Sequence, residues 1–338
     1  MSLLGVSWMA TIDEVASQAA VSKSTVSRAF SRPAAVNAAT RARVLKVASQ
    51  VGYQPRNVVP GPTRRRTGNV GVVVPEVGHP YIQPLLKAVQ HEAVTHQSPL
   101  FMAAGENDPD TEAEVARAMA AHVDGLLLVS SRMEEADIAA IAAEIPLVVV
   151  NREIPGISGI MLASGEGMGQ AVEHLVALGH RRIAYLAGPP RFLASVERVE
   201  ALRAAVAQLN VEVIELGPFQ PSFAAGQRAT DLVISTGSTA VIAFNDLLAL
   251  GLMSRAAELD ITVGRDLSVI GFDGLWLAAA SAPPLTTVAA PIGEAGTFAA
   301  RELFKAIAGR STEFHRRLPS DLVVRSSTGP AAARPPRG

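Results

Sequence analysis

A group of short polar and basic side chains near the N-terminus has the chemistry that contacts nucleic acid. Helical periodicity buries Val26 and Ala29 and leaves a polar face on the other side of the same segment. The five residues of that face are Lys23, Ser24, Thr25, Ser27 and Arg28. Such hydroxyl groups and cations donate hydrogen bonds to phosphates and base edges in the major groove. The pattern alone leaves open that the serines and the threonine only cap and solvate a surface helix.

The distribution of charge separates this N-terminal region from the rest of the chain. Residues 1–66 contain ten basic and two acidic residues, a net charge of +8, whereas the remainder contains 20 basic and 29 acidic residues, a net charge of −9. Cations placed against phosphates release counterions, so a basic module favours a nucleic-acid partner. The alternative interpretation is a basic surface that only faces solvent.

Three short helices are predicted to position the polar face. A capping box at Thr11 and Glu14, then N-caps at Ser22 and Asn37, begin them, and Gly52 ends the third. Pro33 ends the second helix. The predicted inward residues are Ile12, Val15, Ala16, Ala19, Val26, Ala29, Phe30, Val44, Val47, Ala48 and Val51. Two helices joined by a tight turn and braced by a third form the helix-turn-helix plan.

The remaining residues alternate between buried strand patterns and amphipathic helix patterns. The predicted strands are Val70–Val74, Leu100–Ala103, Gly125–Val129, Leu147–Val150, Ile183–Ala187, Val211–Glu215, Ala240–Phe244 and Ser268–Phe272. The predicted helices are Pro84–Gln97, Asp110–Ala121, Glu134–Ala143, Gly165–Leu178, Ala194–Leu209, Ala224–Ser235 and Asp246–Leu259. Two rounds of alternation predict two parallel-sheet domains, with a ligand cleft beyond the carboxyl ends of their strands.

Other chemistries lack their sequence signatures. No GxGxxG follows the first strand, no phosphate loop or GxSxG elbow occurs, and the seven histidines form no HExxH. There is no cysteine, which excludes disulfides and thiolate metal sites. We therefore expect no catalytic residues, metal or cofactor. No signal peptide is apparent and the apolar runs are too short to span a bilayer, which predicts a cytoplasmic protein without a membrane partner.

Two strings in the N-terminal region resemble the headpiece of the LacI/GalR family of bacterial repressors. They are VSKSTVSR at Val21–Arg28 and GYQP at Gly52–Pro55. The resemblance implies that Lys23, Ser24 and Arg28 read bases. It implies phosphate contacts from Ser22, Thr25 and Ser27. One departure is Ala20, where the family usually has a turn glycine, so a positive φ there would cost energy.

The segment after the headpiece departs from the family. Family members have a hinge helix at this point, but here Pro60 and Pro62 flank Gly61, and proline removes helix hydrogen bonds. Pro62 stands where the family's minor-groove leucine is expected, and proline can also wedge between base steps. Arg64–Arg66 either follow phosphates or belong to a solvated linker, and both readings stay open.

The body resembles the family's effector domain, which is similar to periplasmic sugar-binding proteins. The strings VDGLLLVSS, VEHLVALGHRRIAYLAGPP, AFNDLLALG, VIGFDG and PPLTTVAAPIGEAG stand in the expected order, so the resemblance covers about residues 10–328. The effector residues that it implies are Asn151, Arg198, Phe219, Asn245 and Asp273. Glu76 and Tyr81 are weaker candidates for the opposite wall. The alternatives are that Asn245 and Asp273 cap turns, that Arg198 is a surface charge and that Phe219 is core.

These patterns together predict an α/β protein with an all-α three-helix headpiece and two doubly wound parallel-sheet subdomains. The predicted ranges are 10–56 for the headpiece, 57–67 for the hinge, 68–161 with 290–322 and 162–289 with 323–328 for the subdomains, and 329–338 for a disordered tail. The expected protein is a homodimeric repressor of a sugar-utilisation operon that binds double-stranded operator DNA and a sugar-like effector. The effector would lower or raise DNA affinity. A sugar transport component or sugar enzyme is the rival, which the basic headpiece opposes.

Overall fold

The computed structural model describes residues 12–31, 36–51, 53, 66–207, 209–310 and 313–331. The chain divides into two compact units, Met1–Arg65 and Arg66–Gly338. Several sequence predictions lie outside the described residues, namely those on Thr11, Pro33, Gly52 and the proline-containing hinge before Arg66.

The first unit consists of three helices around a small apolar core. They are α1 (Ile12–Gln18), α2 (Lys23–Ser31) and α3 (Ala38–Gln50). The Asn37 side chain caps α3 by accepting a hydrogen bond from the Ala39 amide at 2.9 Å, as predicted. The buried residues are Val15, Ala16, Ala19, Val26, Ala29, Val44 and Ala48. All of them were predicted to point inward, because the 3.6-residue period fixes which face of each helix is apolar.

The turn between α1 and α2 uses the left-handed backbone conformation that the missing glycine suggested. Ala20 has φ +51°, and the amide of the next residue, Val21, donates to the Ala16 carbonyl at 3.0 Å. An L-residue in this region costs roughly 1–2 kcal/mol. The turn therefore forms with alanine, at a cost in stability to the headpiece.

The second unit is built from twelve strands, nine α-helices and the short 3-10 helix Pro80–Ile82 within the part of the chain that the structure describes. The strands are β1 (Val70–Val74), β2 (Leu100–Ala104), β3 (Gly125–Val129), β4 (Leu147–Val150), β5 (Gly159–Ala163), β6 (Arg182–Leu186), β7 (Glu212–Leu216), β8 (Ala240–Ala243), β9 (Ser268–Asp273), β10 (Thr286–Ala289), β11 (His315–Pro319) and β12 (Asp321–Val323). The helices are α4 (Gln83–Thr95), α5 (Pro109–Ala120), α6 (Glu135–Ala142), α7 (Gly165–Ala177), α8 (Leu193–Val206), α9 (Phe223–Thr236), α10 (Asp246–Glu258), α11 (Trp276–Ala280) and α12 (Ile292–Ile307).

The strands form two six-stranded sheets. One has the order β11-β5-β4-β3-β1-β2 and is parallel throughout, and the other has the order β12-β10-β9-β8-β6-β7. Only β12 runs antiparallel to its neighbour in the second sheet. Both faces of each sheet are covered by helices, and each face has its own apolar cluster. Strands buried on both faces explain the continuous apolar runs in the sequence. None of the described helices is long and apolar enough to cross a membrane.

Three short connections join the two sheets. The chain passes between Ala163 and Gly165, between Ala289 and Ile292, and again at Ser320. The Ser320 amide donates to the Ala163 carbonyl at 3.1 Å, which ties two of the connections together. The strands that flank these connections, β5, β10, β11 and β12, were not predicted from the sequence. The first sheet accordingly extends to Ala163, past the predicted boundary at residue 161.

The start of the predicted disordered tail is held against the second sheet. The Gly329 carbonyl accepts from His180 Nε2 and the Ala331 amide donates to the Leu178 carbonyl, at 3.0 and 2.8 Å. The prediction of disorder from residue 329 is therefore wrong for residues 329–331, because these backbone groups have partners in the body. Residues 332–338 lie outside the described part of the chain.

Candidate functional site

The exposed face of α2 forms the first candidate site. Ser22 precedes the helix, and its Oγ accepts from the Thr25 amide at 3.2 Å, as an N-cap does. The same hydroxyl group lies 2.8 Å from Ser24 Oγ and 2.9 Å from Thr25 Oγ1. The capping interpretation is therefore correct for Ser22, whose hydroxyl group also contacts the hydroxyl groups of Ser24 and Thr25.

The basic residues of α2 extend this polar face. Lys23, Ser24 and Arg28 are exposed, and Thr25 and Ser27 are half-buried. The Arg28 guanidinium reaches back along the helix, with Nε 3.2 Å from the Ser24 carbonyl oxygen and one Nη 3.1 Å from Ser24 Oγ. The structure thus brings all six sequence-predicted residues together at the start of α2, with Ser22 just before the helix and the other five in its first two turns.

The second candidate site is a cleft in the second unit with a cavity of about 240 Å³. Its lining comes from the carboxyl ends of strands in both sheets, where ligands bind in open α/β folds. The lining residues used below are Glu76, His79, Tyr81, Asn107, Ser130, Arg132, Glu134, Asn151, Arg152, Arg191, Phe192, Arg198, Phe244, Asn245 and Asp273. Four of the five sequence-predicted effector residues are among them, and so are the weaker candidates Glu76 and Tyr81.

Strained backbone conformations mark the strand ends that line the cleft. Ser130, Asn151 and Asp273 follow or end β3, β4 and β9, and their φ angles are +47°, +58° and +104°. Non-glycine residues in these regions cost roughly 1–3 kcal/mol each and gather at ligand sites. The Asn151 amide group donates to Ser130 Oγ at 3.1 Å. This hydrogen bond joins the ends of the adjacent strands β3 and β4 on the side of the cavity that the first sheet lines.

A buried ion pair lines the cavity on the side of the second sheet. Arg198 on α8 donates from Nη2 to Asp273 Oδ1 at 2.9 Å and from Nη1 to the Phe244 carbonyl, and its Cζ lies 3.8 Å from the Phe272 ring centroid. Both side chains are less than a tenth exposed, so Arg198 is not a surface charge. Burial raises the pKa of Asp273, and the positive charge of Arg198 opposes that rise. Within the described residues, Arg198 Nε is buried without a hydrogen-bond partner.

Asn245 caps a helix and also lines the cavity. Its Oδ1 caps α10 by accepting from the Leu248 amide at 3.0 Å. Its Nδ2 lies 3.5 Å from His79 Nε2 on the opposite wall. The residue therefore fixes the start of a helix and also brings its amide group close to His79, which follows a strand of the other sheet.

Phe219 is not among the residues that line the cavity, so the structure does not bring it together with the other four predicted effector residues. Its amide donates to the Ala187 carbonyl at 2.8 Å, and its half-buried ring packs against the apolar cluster of the second sheet. This packing favours the alternative interpretation of Phe219 as a core residue. Phe192 and Phe244 supply the aromatic surfaces, with ring centroids 6.5 Å apart, and Tyr81, after β1 of the first sheet, lines the same cavity.

Sequence reasoning missed Arg132, Phe192 and His79. Each follows a predicted strand within one loop, and Asn151 and Asp273, which the resemblance implied, also lie at strand ends. A search of the positions after every strand would have found Arg132 directly after β3. Among the described residues, no cluster of three metal-ligating side chains occurs.

Both regions of the chain that contain a candidate site match known protein families. Residues 11–56 match the family model of bacterial regulatory proteins of the lacI family, and residues 172–328 match that of a periplasmic binding protein-like domain. The HTH-type transcriptional regulator DegA of Bacillus subtilis is 31% identical over 336 residues, covering 95% of this chain and 98% of DegA. The chain belongs to the LacI family. It is a DNA-binding transcription regulator with a periplasmic-binding-protein-like effector domain.

Solved structures of this family share the fold. A lac repressor dimer bound to operator and the anti-inducer ONPF is 25% identical, with a TM-score of 0.71 over 95% of this LacI-family chain and 100% of that chain. A LacI family transcriptional regulator from Enterococcus faecium with bound ribose is 26% identical, with a TM-score of 0.70 over 78% of this chain and 99% of that one. The helix-turn-helix unit and the two-sheet architecture are therefore those of the family.

Proposed function

We propose that this LacI-family chain is a repressor whose affinity for operator DNA is set by a sugar or sugar derivative bound in the cleft. The observation that carries the proposal is the cavity between the strand ends of two sheets, in which arginine, asparagine and aspartate side chains meet two phenylalanine rings. Bidentate polar groups bind vicinal hydroxyls, and aromatic faces pack against sugar C–H surfaces. The ribose-bound relative supports a carbohydrate ligand.

We assign base reading to Lys23, Ser24 and Arg28, and phosphate contacts to Ser22, Thr25 and Ser27. The effector contacts are Asn151, Arg198, Asn245 and Asp273. The headpiece occupies residues 10–56 and the hinge residues 57–67. We further propose a cytoplasmic homodimer on a near-palindromic operator, since the lac repressor was solved as a dimer on its operator. The chain has no catalytic role and takes no cofactor.

Two experiments test this function. Selection from a random DNA pool should enrich one near-palindromic site, and the enriched DNA should lose its affinity for a chain that lacks residues 1–66. A thermal-shift panel of neutral, acidic and phosphorylated sugars, polyols and nucleosides should contain a stabilising ligand, since a ligand at 100 times its Kd stabilises by about 2.7 kcal/mol. DNA binding that survives the deletion would contradict the headpiece assignment. A panel without any stabilising ligand would contradict the sensing role.

A further inference from the structure

The lining of the cleft carries more positive than negative groups. Its arginines are Arg132, Arg152, Arg191 and Arg198, and its acids are Glu76, Glu134 and Asp273. Arg198 and Asp273 neutralise each other through their ion pair at 2.9 Å. The Arg152 guanidinium donates to the carbonyl groups of Ser131 and Met133, which bring no compensating charge. Apart from that ion pair, the lining therefore contains three guanidinium groups and only two carboxylates, those of Glu76 and Glu134.

Two of these arginines come from opposite walls and meet at one aromatic ring. Arg132 follows β3 of the first sheet, and its Cζ lies 4.0 Å from the ring centroid of Phe192. Arg191 follows β6 of the second sheet, and its Cζ lies 5.6 Å from the same centroid. Like charges are thus brought together at this end of the cleft, where the planar groups are held against the ring face.

Neither guanidinium group is ion-paired within 4.0 Å in the described part of the chain. Arg132 donates to Asn107 Oδ1, and Asn107 in turn donates to Glu76 Oε2 at 3.1 Å, so a neutral amide stands between the arginine and that carboxylate. Hydrogen bonds from the amide and hydroxyl groups of Thr111 to Oδ1 lower the pKa of Asp108, and the charge of Arg191 is the smallest contribution to that shift. Burial lowers the pKa of Arg132, the charge of Glu112 opposes this, and the charge of Arg191 lowers it further.

We propose that the effector carries an anionic group, a carboxylate or a phosphate, which binds between Arg132 and Arg191. The proposal rests on the cleft being an effector site and specifies the class of ligand. Arginine forks match both anions, each through two parallel hydrogen bonds. Because Arg132 and Arg191 follow strands of different sheets, an anion that bridges them also cancels their mutual repulsion.

Calorimetric titration with matched pairs of sugars tests this inference. The pairs are galactose with galacturonate, glucose with glucose 6-phosphate and ribose with ribose 5-phosphate, and inorganic phosphate alone is added as a minimal anion. The variants are Arg132→Met and Arg191→Met, which keep apolar contact with the Phe192 ring. Arg203→Met is the matched control, because Arg203 is an exposed arginine on α8 with a single weak contact to Glu215.

The expected result is that an anionic sugar binds at least tenfold more tightly than its neutral partner. That preference should fall at least tenfold in both cleft variants and stay unchanged in the control, with circular dichroism showing that all variants are folded. Comparing the affinity gain in the uronate pair with that in the two sugar-phosphate pairs shows whether the bound group is a carboxylate or a phosphate. Inorganic phosphate that binds the wild type and neither cleft variant supports the same subsite.

Three outcomes would overturn the inference, and they are distinguishable. A neutral sugar that binds at least as tightly as its acid removes the anionic class but leaves the sensing function intact. A preference that persists in both cleft variants removes the two arginines from the site. Absence of binding by every sugar and by phosphate contradicts the sensing function itself, and this inference with it.

Discussion

Helix α2 exposes Lys23, Ser24 and Arg28 to solvent, whereas Arg198 and Asp273 in the cleft are 6% and 8% exposed. The groups on α2 have contacts within their own turn of helix. Those in the cleft connect helix α8 to the end of β9 and to the Phe244 carbonyl group. The comparison teaches that polar groups on the exposed face of α2 can vary with little effect on folding, while those in the cleft also hold the fold together.

The largest expected effect is the loss of Arg198. Arg198→Met leaves the Asp273 carboxylate buried without its cation, and breaking a buried pair in this way costs about 3–5 kcal/mol of unfolding free energy. Urea unfolding measures this loss. Arg203→Met, which breaks an exposed pair, should cost about 0–1 kcal/mol. Equal losses in the two variants would show that the cleft pair does not support the fold.

A second effect concerns Asp246, which lies behind the cleft and accepts hydrogen bonds from the Leu275 amide and the Thr287 hydroxyl at 2.7 and 2.6 Å. Burial, and then the charge of Asp273, raise the pKa of Asp246 to about 7. The folded chain therefore holds a proton that the unfolded chain releases. Stability from this group is complete below the ordinary aspartate pKa near 4 and is lost as pH rises to about 7.

The measurement is urea unfolding of the wild type and of Asp246→Asn from pH 4 to 9. The wild type should lose stability relative to the variant with a slope of at most about 1.4 kcal/mol per pH unit, and the difference should level off above about pH 8. Parallel profiles across the whole range would mean that Asp246 is ionised throughout in the folded protein.

A smaller effect is expected in the headpiece turn. Ala20→Gly relieves the positive φ at a partial cost in backbone entropy, so the headpiece should gain about 0.5–1 kcal/mol. Ala42→Gly, at an exposed position within α3, should instead lose about 0.5–1 kcal/mol. Amide hydrogen exchange of α1–α3 in the full chain measures both changes. Destabilisation by glycine at residue 20 would indicate that the turn does not need the left-handed conformation.

The smallest expected change in stability accompanies a large change in binding. Lys23→Ala should alter the unfolding free energy by no more than about 0.5 kcal/mol, as is usual at exposed positions. The selected operator should nevertheless bind about 1–3 kcal/mol more weakly, and discrimination at one base pair should relax. Lys46→Ala, an exposed cation on α3, is the control and should weaken all DNA sequences alike. Uniform weakening by both variants would remove Lys23 from base reading.

The sequence predicted the sheets well where strands are buried on both faces, as in Val70–Val74 and Gly125–Val129. It missed His315–Pro319, in which only Leu318 is buried, and Thr286–Ala289, in which two buried threonines interrupt the apolar run. Both segments lie next to a connection between the two sheets, and they form strands because the chain runs along a sheet edge or between sheet strands there. Their own residue pattern does not specify this, since tertiary context decides strand formation at edges and crossings.

The same distinction explains which site residues were found. Asn151 and Asp273 were predicted from the family resemblance, and both line the cavity because strand direction places the carboxyl ends of β4 and β9 there. Phe219 was predicted by resemblance in a loop, and the direction of its ring depends on how that loop packs. The Arg132 and Arg191 pair could not be read from the sequence, because it requires the spacing between two sheets.

The central claim is that the cleft and the DNA-reading helix are coupled through one ligand. The most direct test is to titrate the selected operator with the full chain, with and without a saturating amount of the ligand found by thermal shift. We predict a change in operator affinity of about 5–150-fold in the wild type, as is typical of allosteric coupling, and none for a chain whose ligand site is removed by Asp273→Ala. An unchanged operator affinity at saturating ligand would contradict the account.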